Sequence, residues 1–267
     1  MPRTIDLLDG KKLVQSKNIR DGDHEMSKHI DCHVESLEYY NSDTRRLILT
    51  PEQPLHFKAG QYLEVILPDK RCPFSIANAP HVSDSIELHI RPTPNSVDSD
   101  DIEHLLDTSQ EFLIDAPKGD CYIESTPDKP LILLAASTGV TQMKSIYEHL
   151  QHLGHRKPIY LYWGVLADQD LYLDSLCRQW QQDNPHFHYE PVISEPETSP
   201  NWTGRTGLVG NVALEDFTDV SDVIVYVSGG PGMVYATLDA FVARGMPSDN
   251  MFSDVFTYAP RAATENS

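Results

Sequence analysis

The chain changes texture once, at Thr126-Pro127-Asp128-Lys129-Pro130, and no single fold class suits both sides of that break. Up to Ile123, short apolar runs stand between turn residues: Leu47-Ile48-Leu49, then Tyr62 to Leu67, then Ile86 to Ile90. Repeated short strands of this kind predict an antiparallel barrel. Beyond the break, strand-length and helix-length segments alternate. Strands are expected at Leu131 to Ala136, Ile159 to Trp163, Phe187 to Ile193, Val223 to Ser228 and Met251 to Phe256. Helices are expected at Thr141 to Leu153, about Leu171 to Gln182 and about Met233 to Arg244. That alternation predicts an α/β domain with a parallel sheet, whose strand carboxyl ends face a ligand crevice.

A length of 267 residues is enough for two modest cores. The expected organisation is an extension over 1–30, a barrel over 31–126, a nucleotide-type α/β domain over 127–260 and a tail over 261–267. Within the extension, Ile5 to Gly10 reads as a short hairpin or docking strand. Asp and Glu outnumber Lys and Arg by 40 to 21, a net charge of -19 with no basic block, which argues against a nucleic-acid partner. The longest apolar run, Leu131 to Ala136, is only strand-sized, and the amino terminus lacks a charged-then-apolar signal pattern. A soluble, cytoplasmic protein without a membrane span is expected. Cysteines at 32, 72, 121 and 177 are far apart and without C-x-x-C spacing, so no metal or iron-sulfur ligand set is expected and the thiols read as reduced.

Two loops have the composition of ligand-binding turns. After Leu131 to Ala136 comes Ser137-Thr138-Gly139-Val140-Thr141, which opens directly into a helix, so its backbone N–H groups and the positive helix end suit a pyrophosphate. Taken alone, the same turn is what any β-α junction needs. The strand ending at Val227 runs into Ser228-Gly229-Gly230-Pro231-Gly232-Met233, where glycines let backbone approach a ligand. Two such loops at one sheet edge suit a dinucleotide. In the barrel half, Arg71-Cys72-Pro73-Phe74-Ser75 places a cation, a thiol, an aromatic and a hydroxyl within five residues, where the plain alternative is a strand start with one buried Phe.

Phe57-Lys58-Ala59-Gly60-Gln61-Tyr62, Pro73-Phe74-Ser75-Ile76-Ala77, Glu87-Leu88-His89-Ile90, Tyr162-Trp163-Gly164 and Gly204-Arg205-Thr206-Gly207 follow one another as in the ferredoxin-NADP reductase superfamily. Within it the chain resembles the bacterial NAD(P)H:flavin reductases, including those serving luciferase systems, whose end is similar to Phe252-Ser253-Asp254-Val255-Phe256; the likeness runs from about Cys32 to Tyr258. It implies a flavin-binding Greek-key barrel packed on an NAD(P)-binding α/β domain, with the flavin ring in the cleft between them. By position it implies that Pro73, Phe74 and Ser75 line the ring, with the Ser75 hydroxyl near flavin N5, and that His89, Ile90 and Arg91 flank the ring or its tail. Thr138 and Gly139 would meet the nicotinamide and pyrophosphate. Ser228, Gly229 and Met233 would stand beside the nicotinamide, and Phe256 belongs to the closing motif. Arg205 would make either a phosphate contact or a structural turn.

Three departures qualify the resemblance. The family's R-x-[YF]-S pattern puts Arg three residues before the serine, where this chain has Cys72; Arg71 is one step early and replaces it only if a bulge shifts the strand. The family's Gly-Gly-Thr-Gly turn is Ala136-Ser137-Thr138-Gly139, and the helix's early proline is Gln142. A frequent Cys near the nicotinamide is Ser228. The implied activity is hydride transfer from NADH or NADPH to FAD, FMN or riboflavin, with Ser75, Thr138 and Ser228 positioning the reactants. Glu195 and Glu197 after a strand favour NADH, since their charge repels a 2'-phosphate. Two alternatives stay open: an FAD-keeping reductase that passes electrons to a separate redox partner protein, and a non-catalytic flavin or nucleotide sensor.

Overall fold

The computed structural model describes residues 28–93 and 96–261; the expected hairpin at Ile5 to Gly10 lies outside them. The first half is a six-stranded antiparallel barrel built from β1 (Lys28–Tyr39), β2 (Arg45–Pro51), β3 (Tyr62–Ile66), β4 (Arg71–Ser75), β5 (Ile86–Ile90) and β6 (Glu111–Lys118), with α1 (Val97–Thr108) between β5 and β6. The order β4-β3-β6-β1-β2-β5 leaves β4 and β5 at the two edges. They pack side by side, and just past β4 the Ala77 N–H donates to the Glu87 carbonyl at 2.8 Å. Every residue of β5 is buried because its two faces meet different cores: Ile86, Leu88 and Ile90 fill the barrel, while Glu87 and His89 face the second domain. β1 starts at Lys28, ahead of the expected boundary at 31.

The second half forms a parallel sheet in the order β10-β9-β8-β7-β11-β12. Its strands are β7 (Leu131–Ala136), β8 (Ile159–Val165), β9 (Phe187–Ile193), β10 (Arg205–Thr206), β11 (Ile224–Ser228) and β12 (Met251–Phe252). The main helices are α2 (Val140–His152), α3 (Asp174–Asp183), α4 (Val209–Glu215) and α5 (Pro231–Ala243), closed by the short α6 (Val255–Tyr258). β7 is buried on both faces, as a central parallel strand must be: Leu131, Leu133 and Ala135 join the core under α2, and Ile132 and Leu134 the core on the other side. The strand expected over Met251 to Phe256 stops at Phe252, and Phe256 lies on a helical turn instead.

α2 is the hinge piece between the halves. Its core continues into Ala59, Cys121 and Ile123 of the barrel side, and its polar residues reach across as well. Ser145 donates to the Asn78 carbonyl at 2.8 Å, and Gln142 Nε2 donates to the Gly60 carbonyl at 2.8 Å. No helix of the described residues is long and apolar enough to cross a membrane.

Candidate active site

The two domains meet at a cavity of about 820 Å³. Its barrel wall is the cleft end of β4 and β5, and its α/β wall is the pair of loops that follow β7 and β11. Those loops touch: Ala135 pairs with Ser228 in register, and a Cβ on Gly139 would come within 2.4 Å of the Ser228 carbonyl oxygen. Gly139 is therefore demanded by the approach of the loops, before any ligand is considered. Ser137 takes the position a glycine would favour, at φ 51°, and is held there by two bonds: its carbonyl accepts from Trp163 Nε1 at 2.8 Å and its hydroxyl from Arg91 Nη1 at 3.3 Å. Gln142, where the family has proline, uses its amide to join Gly60, Cys121 and Asp254.

β4 pairs with β3 without a break from Tyr62 opposite Ser75 to Ile66 opposite Arg71, so no bulge shifts Arg71 into the place of Cys72. Arg71 instead shares a face with Pro73 and Ser75 and borders the cavity directly. Its Nη1 lies 2.5 Å from Asp115 and 3.8 Å from Glu64. The ladder irregularity nearby is on the other side of β3, between Tyr62 and Glu64 where they face β6. Arg91 is likewise clamped, with Nε 2.9 Å from Asp43 and Nη2 2.8 Å from Asp170 of the second domain.

His89 closes the back of the cavity. Its Nε2 lies 2.8 Å from Glu87, which also accepts from Tyr40 at 3.1 Å, Arg46 at 3.2 Å and Lys144 at 3.1 Å. Burial works to raise the Glu87 carboxyl, but His89, Lys144 and Arg46 outweigh it and hold the group well below the usual range. Burial pushes His89 down despite the neighbouring carboxylate, so we assign a neutral ring with Nε2–H donating to Glu87 and Nδ1 accepting from the Tyr172 hydroxyl at 3.1 Å. Across the cavity, burial pushes the Asp254 carboxyl up to about 6, with partial relief from Gln142 and from the backbone at Cys121.

Of the residues singled out in the sequence, Arg71, Pro73, Phe74, Ser75, His89, Arg91, Thr138, Gly139, Ser228 and Gly229 border this cavity. The other five do not. Cys72 and Ile90 point into the barrel core and border a smaller cavity of about 240 Å³ beside α1. Met233 borders a third cavity, of about 720 Å³, on the outer side of the β7 turn. Arg205 lies away from this cavity and donates to Asp216 at 2.7 Å and Glu215 at 2.6 Å. Phe256 packs on Tyr235. Asp254 and Tyr258 also border the cavity, as does Gln142; the sequence names Gln142 only as a departure from the family's proline and Asp254 only within the Phe252 to Phe256 segment, and it assigns a site role to none of the three.

A barrel joined to a parallel α/β domain, with a cleft between an aromatic-serine strand end and two glycine loops, defines a two-domain nicotinamide-flavin reductase. Residues 133–239 match the family model described as an oxidoreductase NAD-binding domain. The NAD(P)H-flavin reductase of Aliivibrio fischeri is 35% identical over 236 residues, covering 86% of this chain and 99% of that protein. The CDP-6-deoxy-L-threo-D-glycero-4-hexulose-3-dehydrase reductase of Yersinia pestis is 34% identical over 235 residues, covering 87% of this chain and 70% of that one. Among solved structures, the Amycolatopsis cytochrome P450 reductase GcoB superposes with a TM-score of 0.77 at 27% identity, over 85% of this chain and 69% of that chain. The chain belongs to the ferredoxin-NADP reductase superfamily, beside the NAD(P)H-flavin reductases, and is an oxidoreductase that uses a nicotinamide dinucleotide and a flavin.

Proposed function

We propose that the chain brings NADH and a free flavin into one cleft, moves a hydride from the first to the second, and releases the reduced flavin. The observation that carries this reading is the convergence of the Phe74-Ser75 strand end, the Thr138-Gly139 turn and the Ser228-Gly229 loop on one cavity. When bound, the cofactors supply the redox chemistry: the dinucleotide loses a hydride and leaves oxidised, and the flavin gains that hydride and a proton. The protein holds and orients. Pro73 and Phe74 offer apolar surface for a ring, and the start of α2 offers N–H groups to a pyrophosphate. Among the described residues no protein group engages the hydroxyls of Ser75, Thr138 or Ser228, which leaves them for ligands. Asp254, pushed up to about 6, can hold a proton close to neutral pH in the same cavity.

The preference for NADH is supported by exposed Glu195 and Glu197 after β9, and by Arg91 being already bound to Asp43 and Asp170 where it borders the outer cavity. Four free, buried cysteines support a reducing, cytoplasmic setting. The likeness to a P450 reductase supports a second reading, in which FAD stays bound and electrons pass to another protein. The deciding experiment is NADH oxidation with and without added riboflavin or FMN, combined with stopped-flow reduction of Ser75→Ala. Stimulation by free flavin, and reduction slowed by about tenfold or more with flavin affinity changed less than about threefold, is expected. An enzyme that stays yellow through gel filtration and reduces only a partner would favour the second reading.

A further inference from the structure

We infer that Asp170 and Asp43 are positioning residues for hydride transfer: they hold Arg91 as a clasp that fixes the angle between the two domains. The inference rests on the hydride-transfer reading above. Arg91 follows β5 directly, and each nitrogen of its guanidinium is bonded to a different segment. Nε donates to Asp43 in the β1–β2 turn at 2.9 Å, Nη1 to the Ser137 hydroxyl in the turn after β7 at 3.3 Å, and Nη2 to Asp170 in the turn after β8 at 2.8 Å. The last two segments belong to the α/β domain. A further bond runs alongside, from Asn41 Nδ2 to the Gln169 carbonyl at 3.1 Å.

Both carboxylates are fixed in their own turns before they meet the arginine. Asp170 is buried, and its second oxygen accepts from the Ala167 N–H at 3.1 Å. The second oxygen of Asp43 accepts from the Thr44 hydroxyl at 3.1 Å, and Asn41 Oδ1 accepts from the Thr44 N–H at 2.8 Å. A planar guanidinium reaches three directions at once, which a single ammonium on a flexible stem does not. The bonds made by α2 do not duplicate the clasp, because they meet the barrel at Gly60, Ala77, Asn78, Glu87 and Cys121. Attachment along one helix leaves a rocking motion about that helix, and a second attachment elsewhere stops it. Ser137, the residue Arg91 holds, borders both large cavities beside Thr138. With a flavin on the barrel wall and a nicotinamide on the α/β wall, the gap between the reacting atoms is set between domains, where an error of about 1 Å costs about 100-fold in rate. Asp170 borders neither large cavity, so its loss acts on that gap and not on ligand contacts.

The test is stopped-flow flavin reduction by the full chain at saturating NADH, with flavin titration and thermal melts of the same variants. Asp170→Asn should slow reduction by about tenfold or more while flavin affinity and the NADH half-saturation stay within about threefold. Arg91→Lys should slow it as much although the charge is kept, and Asp170→Glu should recover part of the rate. The combined Asp170→Asn and Arg91→Lys change should be within about twofold of the slower single change, as for two parts of one unit. Asp43→Asn, at a partly exposed position that leaves the turn of Asp170 intact, should slow reduction by about threefold, and it decides the matter if Asp170→Asn does not fold. Reduction within about twofold of the parent in a folded Asp170→Asn, or in Asp43→Asn where Asp170→Asn does not fold, overturns the inference, as does a loss of rate matched by an equal loss of flavin affinity. A parent chain that reduces no flavin with NADH overturns the hydride-transfer reading and this inference with it.

Discussion

Asp254 borders the cleft 112 positions from the Gln142 amide that bonds it at 3.0 Å, and burial raises its carboxyl to about 6. An unfolded Asp titrates at about 3.9, so between about pH 4 and 6 the folded chain binds more protons than the unfolded one, and stability falls as pH rises through that window. Asp254→Asn removes the penalty. Urea melts should show it more stable than the parent by about 1–3 kcal/mol at neutral pH and equal to it below about pH 4. Ser137 gives a second check. At φ 51° a β-branched side chain is strained, so Ser137→Val should cost about 1–3 kcal/mol in the same melts, and Ser137→Gly less than about 1 kcal/mol. Pro73, Phe74, Ser75 and Thr138 were legible because each stands inside a contiguous motif. The pairing of Asp254 with Gln142 was not, because burial and partnership over that sequence distance leave no local pattern even where both residues stand in or beside a motif. The clamping of Arg71 is in the same class, since a guanidinium's availability depends on the strands beside it.

At the scale of elements, the continuous apolar runs were readable: β7 and β9 begin and end where the sequence pattern places them. α1 escaped notice because only Ile102 and Leu106 of its residues are buried and its first turn is acidic, so its apolar face is too narrow to show a period. β12 was overextended because the apolar residues of Met251 to Phe256 continue past the strand into a helical turn. The contact of α2 with β5 has a measurable energy. Lys144 Nζ lies 3.1 Å from Glu87 and 3.0 Å from Glu148, with all three side chains largely out of water. Lys144→Met strands Glu87 with fewer cations and should cost about 3 kcal/mol, whereas the double change with Glu87→Gln should lose clearly less than the sum of the two single changes. Additive costs in that cycle would show that the pair does not couple the domains.

For the molecule as a whole, a net charge of -19 acts on every anionic ligand. NADPH carries two more negative charges than NADH, so its KM should be higher by several-fold at low salt, and the ratio of the two KM values should shrink toward one between about 20 and 200 mM salt. A ratio insensitive to salt would point to a specific contact instead of the general field. The same scale shows what the break at Thr126 to Pro130 does and does not mean. It separates two folds, yet Lys144, Gln142 and Ser145 of one half complete polar groups of the other, and the Tyr226 hydroxyl donates back to the Tyr122 carbonyl at 3.0 Å. Anyone building chimeric enzymes by cutting at that proline-rich joint would inherit a mismatch: a foreign nucleotide domain without lysine at the position of Lys144 arrives at a barrel whose Glu87 expects one. The transferable module is the second domain together with the strand that answers its first helix.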